Sequence, residues 1–537
     1  MRLLIHPLLK GYQTNFTRYL LVTLVIVLMS YVADAQNTRP NILLICADDL
    51  GFADIGCFGS EVKTPNLDKL AASGIRFRQL HNNAKCNPSR ASLLTGIYAQ
   101  QNGYAKNYDK PLVNSVTLGE YLKSAGYITM WSGKHHGAEN PRTRGFDHFF
   151  GLRDGACNYF NPGLQRPGEG IPANKVQTPI RYWCVEDSLY APYTPKEKDF
   201  YTTDYFTKYA LNWLDDYKDD KTPFFLYVAY NAPHDPLMAW PKDIAKYKGK
   251  YDAGFDAIRK ARFEKQKRLG LVDSRYKLSA PTFKKWDSLN PAEKKEEAEK
   301  MEVYAAMIDR MDQNIGYLLD KLKKQGKLDN TLIIFVSDNG ASAEMATQKG
   351  GSGPVGSMTN WTSLGKDWAN VGNTPFRYYK NSIFEGGTAS PTIISWKNSL
   401  KSPNRYSDYT SHLIDIMATL VEVVGAPYPN SYQGKPVLPF EGSSLLPVIR
   451  NESASRTKPI FWEWQDGQGV RDGEWKLVRQ GLTKPWSLFN MLKDPVETED
   501  LAQSDQAEAK RLEEAFKAWK NRVSIVADSK EKSKLDR

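Results

Sequence analysis

Four apolar runs along the chain each stop at a polar cluster. Residues 41–47 run into Asp48-Asp49 and residues 128–131 into Lys134-His135-His136. Residues 224–230 run into Pro233-His234-Asp235, and residues 331–336 into Asp338-Asn339-Gly340. Continuous apolar runs this short predict strands covered on both faces, as in a mostly parallel sheet. Helical patterns lie between them. Residues 66–71 form one, closed by Gly74. Residues 301–325 form another, with Met301, Ala305, Ile308, Ile315, Leu318 and Leu322 recurring at helical spacing before Gly326 stops it. Alternating strands and helices predict an α/β sandwich with a large, mostly parallel central sheet. In such sheets, sites form beyond the carboxyl ends of the strands, where all four polar clusters fall.

Two regions break the pattern. Residues 242–300 are rich in Lys, Glu, Asp and Arg with few aliphatics, which predicts helices inserted at the rim whose charges form a solvated face. Beyond a boundary near Tyr428-Pro429-Asn430, the short pieces 460–464, 469–471 and 475–478 are separated by the turn residues Gly467, Asp472-Gly473 and Gly481. They predict a small antiparallel sheet, followed by a helix from about Ala507 to Val523. The expected organisation is a signal segment at 1–35, a catalytic domain at 36–428, a C-terminal antiparallel-sheet subdomain at 429–527 and a disordered tail at 528–537.

Composition adds constraints. Of 537 residues, 41% are hydrophobic and 25% charged, ordinary values for a soluble globular protein. The formal charge of +11 favours anionic substrates, but it is spread thinly and no nucleic-acid module is visible, so nucleic acid is not an expected partner. Arg2, Lys10 and Arg18 precede an apolar run at 19–29, followed by the small-x-small site Ala33-Asp34-Ala35. That run is shorter than the roughly 20 residues a membrane span needs. The expectation is an exported protein, periplasmic or secreted, with no stable membrane span. The five cysteines are Cys46, Cys57, Cys86, Cys157 and Cys184. An odd number in an exported protein leaves at least one thiol unpaired or put to another use. Cys86 is the candidate for that use, Cys46 reads as buried, and Cys157 and Cys184 could pair.

The polar clusters suggest chemistry. Adjacent carboxylates at one strand end repel unless a positive charge lies between them. Asp48, Asp49, Asp338 and Asn339 together form an oxygen-only ligand set, which suits a hard divalent cation, calcium better than zinc. In Cys86-Asn87-Pro88-Ser89-Arg90, Pro88 fits a first helical turn and so places Cys86 at a helix N-terminus, where anions are favoured. On physics alone, Cys86 could be a plain thiolate nucleophile.

Cys86-x-Pro88-Ser89-Arg90 resembles the signature of the sulfatase family. Six further stretches are similar to that family in the same order: Pro40-Asn41-Ile42, Asp48-Asp49, Ser132-Gly133-Lys134-His135-His136, Pro233-His234, Ser337-Asp338-Asn339-Gly340, and Lys380 ahead of Phe384-Glu385-Gly386-Gly387. The likeness is nearest to bacterial arylsulfatases. It spans about 40–396 and returns weakly beyond.

The resemblance implies an alkaline-phosphatase-like fold and hydrolysis of sulfate esters: aryl sulfates in vitro and a sulfated carbohydrate in nature. It implies a maturation enzyme that oxidises Cys86 to Cα-formylglycine before folding. It also implies one calcium ion, rather than magnesium, held by Asp48, Asp49, residue 86, Asp338 and Asn339. A hydroxyl of the hydrated aldehyde would attack sulfur. Arg90 would hold the formylglycine and the nearby acids, and Lys134 and Lys380 would bind sulfate oxygens. His234 would protonate the leaving alcohol, and His136 would take a proton from the second hydroxyl as sulfate leaves.

The chain departs from the family in two places. His135 stands where the family usually has an aromatic, and residues 151–156 lack the sulfate-contacting Ser that some members carry after Gly145-Phe146-Asp147. The alternatives are a phosphate monoester or phosphonate hydrolase of the same superfamily, and a catalytically silent glycan-binding protein. Trp361, Trp368 and Tyr159 are the expected sugar platforms.

Overall fold

A computed structural model describes residues 39–106, 110–174, 180–345 and 351–535; the signal segment expected at 1–35 lies outside them. The large sheet has ten strands: β1 (Asn41–Asp48), β2 (Ile75–Phe77), β3 (Ile128–Gly133), β4 (His148–Leu152), β5 (Trp183–Val185), β6 (Ser188–Tyr190), β7 (Phe224–Pro233), β8 (Thr331–Ser337), β9 (Thr392–Ser395) and β10 (Arg405–Ser407). Their order is β10-β2-β9-β8-β1-β7-β3-β4-β5-β6. The four strands expected from the apolar runs are the adjacent, parallel set β8-β1-β7-β3. Strand β9 joins antiparallel to β8, and β5 and β6 extend the far edge antiparallel.

Both faces of this sheet are covered, which is why the central strands read as unbroken apolar runs. On one face, Leu43, Ile45, Leu226, Val228, Ile333 and Phe335 pack with the inward side of a long helix, including Met301, Ile308, Ile315 and Leu322. On the other face, Ile42, Leu44, Phe225, Tyr227 and Ile334 pack with Leu93, Leu94, Ile416, Met417 and Leu420. Odd and even positions of β1 thus serve different cores, as the two-residue period of a strand requires.

The helices that matter here are α1 (Pro65–Ala72), α2 (Cys86–Thr95), α3 (Gly254–Arg268), α4 (Pro291–Lys324), α5 (Asp415–Val424) and α6 (Gln506–Leu535). Helix α4 begins at Pro291, not Met301, because Asn290 caps it by accepting from the backbone N–H groups of Ala292 and Glu293. Its first turns carry charged residues and no apolar stripe, so periodicity could not reveal them. The charges of 242–300 do not all face solvent as expected. Arg259, Arg262 and Gln266 of α3 are buried. Arg262 Nη1 meets Asp54 Oδ1 at 2.6 Å and Nη2 meets Glu61 Oε1 at 2.8 Å. Tyr304 on α4 donates to Asp54 Oδ2 at 2.8 Å. The inserted helices therefore brace the loop that leaves β1.

The C-terminal sheet is β11 (Ile460–Trp464), β12 (Gly467–Asp472), β13 (Trp475–Gln480) and β14 (Ser487–Asn490), all antiparallel. Strand β14 escaped the sequence reading because it holds only four residues directly after Pro485-Trp486. Leu512, Phe516, Trp519 and Val523 of α6 cover the sheet. The α6 backbone stays helical to Leu535, into the stretch expected as a disordered tail. Leu445, Leu446, Val448 and Ile449 still pack on the large sheet.

A buried charge network ties the C-terminal sheet to the segments that follow β2 and precede β9. Lys476 Nζ on β13 meets Glu385 Oε1 at 2.8 Å and Glu497 Oε1 at 2.7 Å, and His81 Nε2 meets Glu385 Oε2 at 3.1 Å. Cys157 and Cys184 are not bonded to each other: all five cysteines are buried free thiols. Among the described residues no helix is long and apolar enough to cross a membrane.

Candidate active site

The parallel strands release their polar residues at one edge. The pairing of β1 with β7 shifts register between Cys46 and Asp48, and Asp48 then lies opposite Pro233. That irregularity sets Asp48-Asp49 beside His234. Asp49 and His136 both adopt left-handed backbone, with φ of 62° and 61°. Such conformations are uncommon outside glycine and cluster at functional sites.

Ion pairs knit the edge together. Lys134 Nζ lies 2.5 Å from Asp48 Oδ2, Lys380 Nζ 2.7 Å from Asp49 Oδ1, and His234 Nε2 3.5 Å from Asp49 Oδ2. Asn339 Nδ2 donates to Asp49 Oδ1 at 2.6 Å, and the Asp49 backbone N–H donates to Asp338 Oδ1 at 3.3 Å. Arg90, projecting from α2, donates through Nε to Asp338 Oδ2 at 2.7 Å and through Nη1 to the Lys134 carbonyl at 3.1 Å. Every one of these side chains is buried.

Burial and charge act against each other here. Burial pushes the Asp48 carboxyl up, but Lys134, with His234, Arg90 and Lys380, overrides it and holds the group below the usual carboxylate range. Asp338 is pushed up to about 6, by burial first and by the Asp48 charge second, despite Arg90. Burial would lower His234, yet the carboxylates of Asp49 and Asp48 raise it above the usual imidazole range. His136 is driven well below the usual imidazole range by burial, then by Lys134 and Arg90, and is neutral. Burial pushes the Cys86 thiol up in spite of Lys134, Lys380 and Lys85. An unmodified Cys86 is therefore a protonated thiol, which disfavours the plain thiolate nucleophile.

The donor set fits a hard cation. Asp48 Oδ1 and Asn339 Oδ1 are buried oxygens with no hydrogen-bond partner. Buried polar atoms nearly always have one, and a divalent ion bound by oxygen ligands would supply it. Ligand atoms of Asp48, Asp49 and His234 lie within 4.8 Å of one another. His234 thus stands beside the acids, although the sequence assigned it to proton transfer alone.

Cys86 is the first residue of α2, with Lys85 as its extended N-cap, and it is 2% exposed. It opens on a cleft of about 310 Å³, also lined by Lys85, Asn87, His136, His234 and Lys380. The expected catalytic residues Cys86, His136, His234 and Lys380 therefore share one cavity, with Arg90 and Lys134 in the layer of charges behind it. The adjacent histidines part company. His136 faces the cleft, whereas His135 packs edge-on against Trp131, with ring centroids 4.9 Å apart. His135 fills the aromatic position from within the core.

The sugar platforms are a correction. Trp361, Trp368 and Tyr159 are at most 1% exposed and belong to the main core. Trp368 Nε1 donates to the Glu297 carbonyl at 2.8 Å and Tyr159 Oη to the Asn231 carbonyl, so both brace the walls. Among the described residues, Trp464 from β11 lines the cleft. Three more cleft residues escaped the sequence reading. Glu344 forms ion pairs with Lys85 and Lys380, and Arg181 and Lys106 come from segments with no motif. Chain folding alone brings them together. Gly155 and Ala156, in the stretch lacking the family's Ser, also line the cavity.

The chain matches the sequence profile of the Sulfatase family over residues 40–426. It is 33% identical to an arylsulfatase of Klebsiella aerogenes over 452 residues, covering 79% of this chain and 94% of that protein. It is also 33% identical to an uncharacterized sulfatase of Schizosaccharomyces pombe over 521 residues, covering 88% of this chain and 92% of the other. Among solved structures it resembles Ps i-CgsB, crystallised in complex with k-i-k-neocarrahexaose. The TM-score is 0.66 at 26% identity, over 90% of this chain and 92% of that one.

Proposed function

The chain belongs to the sulfatase family and is a sulfuric ester hydrolase, and we propose that it releases sulfate from sulfated carbohydrates using a Cα-formylglycine made from Cys86 and a bound calcium ion. The observation that carries this reading is the convergence of Asp48, Asp49, Asp338 and Asn339 on one strand edge, with two buried oxygens left without hydrogen-bond partners. The carbohydrate substrate is supported by the similarity to a structure that holds a neocarrahexaose. An exported protein would meet such glycans outside the cell, and residues 1–35 read as the segment that directs export.

Asp48, Asp49, Asp338, Asn339 and residue 86 would hold the cation, with His234 within reach. The cation would neutralise charge on the sulfate oxygens. Formylglycine, when hydrated, supplies one hydroxyl as nucleophile and a second whose loss of a proton regenerates the aldehyde. The remaining steps belong to the protein. Lys134 and Lys380, fixed by Asp48 and Asp49, offer ammonium groups to the sulfate oxygens. Arg90 balances Asp338 and fixes the start of the segment that carries Lys134. His234, whose basicity the neighbouring carboxylates raise, gives a proton to the departing alcohol. His136 is neutral and accepts one. The position of Cys86 inside α2 supports oxidation by a maturation enzyme before the helix packs.

The test is to co-express the chain with a formylglycine-generating enzyme and determine the mass of the peptide containing residue 86. Sulfate release is then assayed from 4-nitrophenyl sulfate and from defined sulfated mono- and oligosaccharides. We expect conversion at residue 86, turnover of sulfated sugars and loss of both activities in Cys86→Ala. Dominant phosphatase activity with negligible sulfate release would overturn the reading.

A further inference from the structure

Most cations around the cleft already have partners. Lys134 is paired with Asp48, Lys380 with Asp49 and Glu344, Lys85 with Glu344, and Arg90 with Asp338. Arg181 is different. It lines the same cavity as Cys86 and is only 7% exposed, yet it forms no ion pair among the described residues, and its Nε has no hydrogen-bond partner. Asp154 feels its charge but is not paired with it; that carboxylate instead accepts from the Tyr182 backbone N–H at 2.5 Å. A largely buried arginine with no ion pair among the described residues is uncommon. An anion from outside the chain could take the place beside Arg181 that no described carboxylate fills, and a planar guanidinium suits the oxygens of sulfate or carboxylate.

The reacting sulfate is not that anion. Its place is beside residue 86, where Lys134 and Lys380 are held by Asp48 and Asp49. Arg181 enters from the loop before β5, four strands from β1 in the sheet, and so approaches from the rim. We propose that Arg181 is a substrate-selecting residue that binds a second anionic group, sulfate or carboxylate, on the sugar that carries the scissile ester. This rests on the sulfatase reading above and narrows the substrate to glycans with two negative groups near each other. A neutral leaving sugar would fill the cleft and leave the guanidinium unpaired.

The experiment compares matured wild-type enzyme with Arg181→Gln and Arg181→Lys. The panel is 4-nitrophenyl sulfate, monosulfated hexoses and uronic acids, and their disulfated counterparts with the second sulfate at each remaining hydroxyl. Wild type should favour at least one doubly charged member over its singly charged parent by tenfold or more in kcat/KM. Arg181→Gln should erase that ratio and Arg181→Lys retain part of it. The Gln variant should melt no lower than wild type, because it breaks no ion pair among the described residues. The proposal is overturned by a wild type with no such preference, by a preference that survives in Arg181→Gln, or by an equal fall on every member, which would place the guanidinium on the reacting sulfate. A matured wild type that releases sulfate from no member, 4-nitrophenyl sulfate included, rejects the sulfatase reading itself and Arg181's role with it.

Discussion

Arg90 Nε donates to Asp338 Oδ2 at 2.7 Å across 248 residues of sequence. This contact ties α2 to the end of β8. It fixes the helix N-terminus that carries Cys86 against the acids at the strand edge. Both groups are at most 1% exposed, so removing one strands the other. We expect Arg90→Met to lose about 3–5 kcal/mol of stability and at least roughly a hundredfold in activity. Urea unfolding and sulfate release check this. A variant with the wild-type midpoint would show that the pair does not hold the edge.

His234 should matter in proportion to how badly the leaving group needs a proton. For sugar sulfates, His234→Ala is expected to lower kcat by about 10²–10⁴. For 4-nitrophenyl sulfate the loss should be much smaller, because nitrophenolate leaves unprotonated. Equal losses on both substrates would remove His234 from proton transfer.

Removing the cation should be visible without any assay of turnover. Asp48 Oδ1 and Asn339 Oδ1 would lose their partner, so EDTA should lower the melting temperature and added calcium restore it. By mass action the gain is about 2.7 kcal/mol when free ion is a hundredfold above Kd. A melting curve insensitive to both EDTA and calcium would argue against a cation at this edge.

His135 gives a pH signature distinct from catalysis. Burial, with Arg144, Arg153 and Arg90 acting the same way and Glu139 opposing, lowers it from 6.5 to about 4. The fold therefore keeps it neutral. Its contribution is intact above pH 6.5 and is lost as pH falls through that value towards 4. The span corresponds to about 3 kcal/mol. In His135→Phe the drop in stability between pH 6.5 and 4 should shrink by up to that amount, measured by denaturant unfolding at each pH. An unchanged slope would mean that His135 is already protonated in the fold.

Much of this site was legible in the sequence, for a physical reason. Asp48, Lys134, His234 and Asp338 each follow a buried strand, and a strand buried on both faces announces itself by unbroken apolarity. Cys86 was legible through Pro88. Arg181, Glu344 and Trp464 were not, because nothing in their neighbours marks them; only the path of the chain brings them to the cleft. The buried Arg262 was misread as solvated because its partners, Asp54 and Glu61, lie some two hundred residues away. The sugar platforms failed because aromatic composition does not say which rings face water.

Lys476 tests how the two sheets depend on each other. Burial pushes the Glu385 carboxyl up, and Lys476 with His81 overrides it. Lys476→Met would remove the ion-pair partner that Glu385 and Glu497 share. We expect a loss of about 3–5 kcal/mol, read as a lowered unfolding midpoint. A second substitution, Glu497→Gln, should recover part of it. No loss in the single variant would mean the sheets are held by apolar contact alone.

Trp464, which walls the cleft, comes from β11, far downstream of Cys86. At roughly 5–20 residues per second of synthesis, residue 86 leaves the ribosome on the order of half a minute before that wall exists. The thiol that ends 2% exposed within a narrow cleft is thus open on more sides for a limited interval during manufacture. On the proposed maturation of Cys86, anything that hastens closure of the C-terminal sheet, or delays the oxidising enzyme, would yield correctly folded molecules with an unconverted thiol.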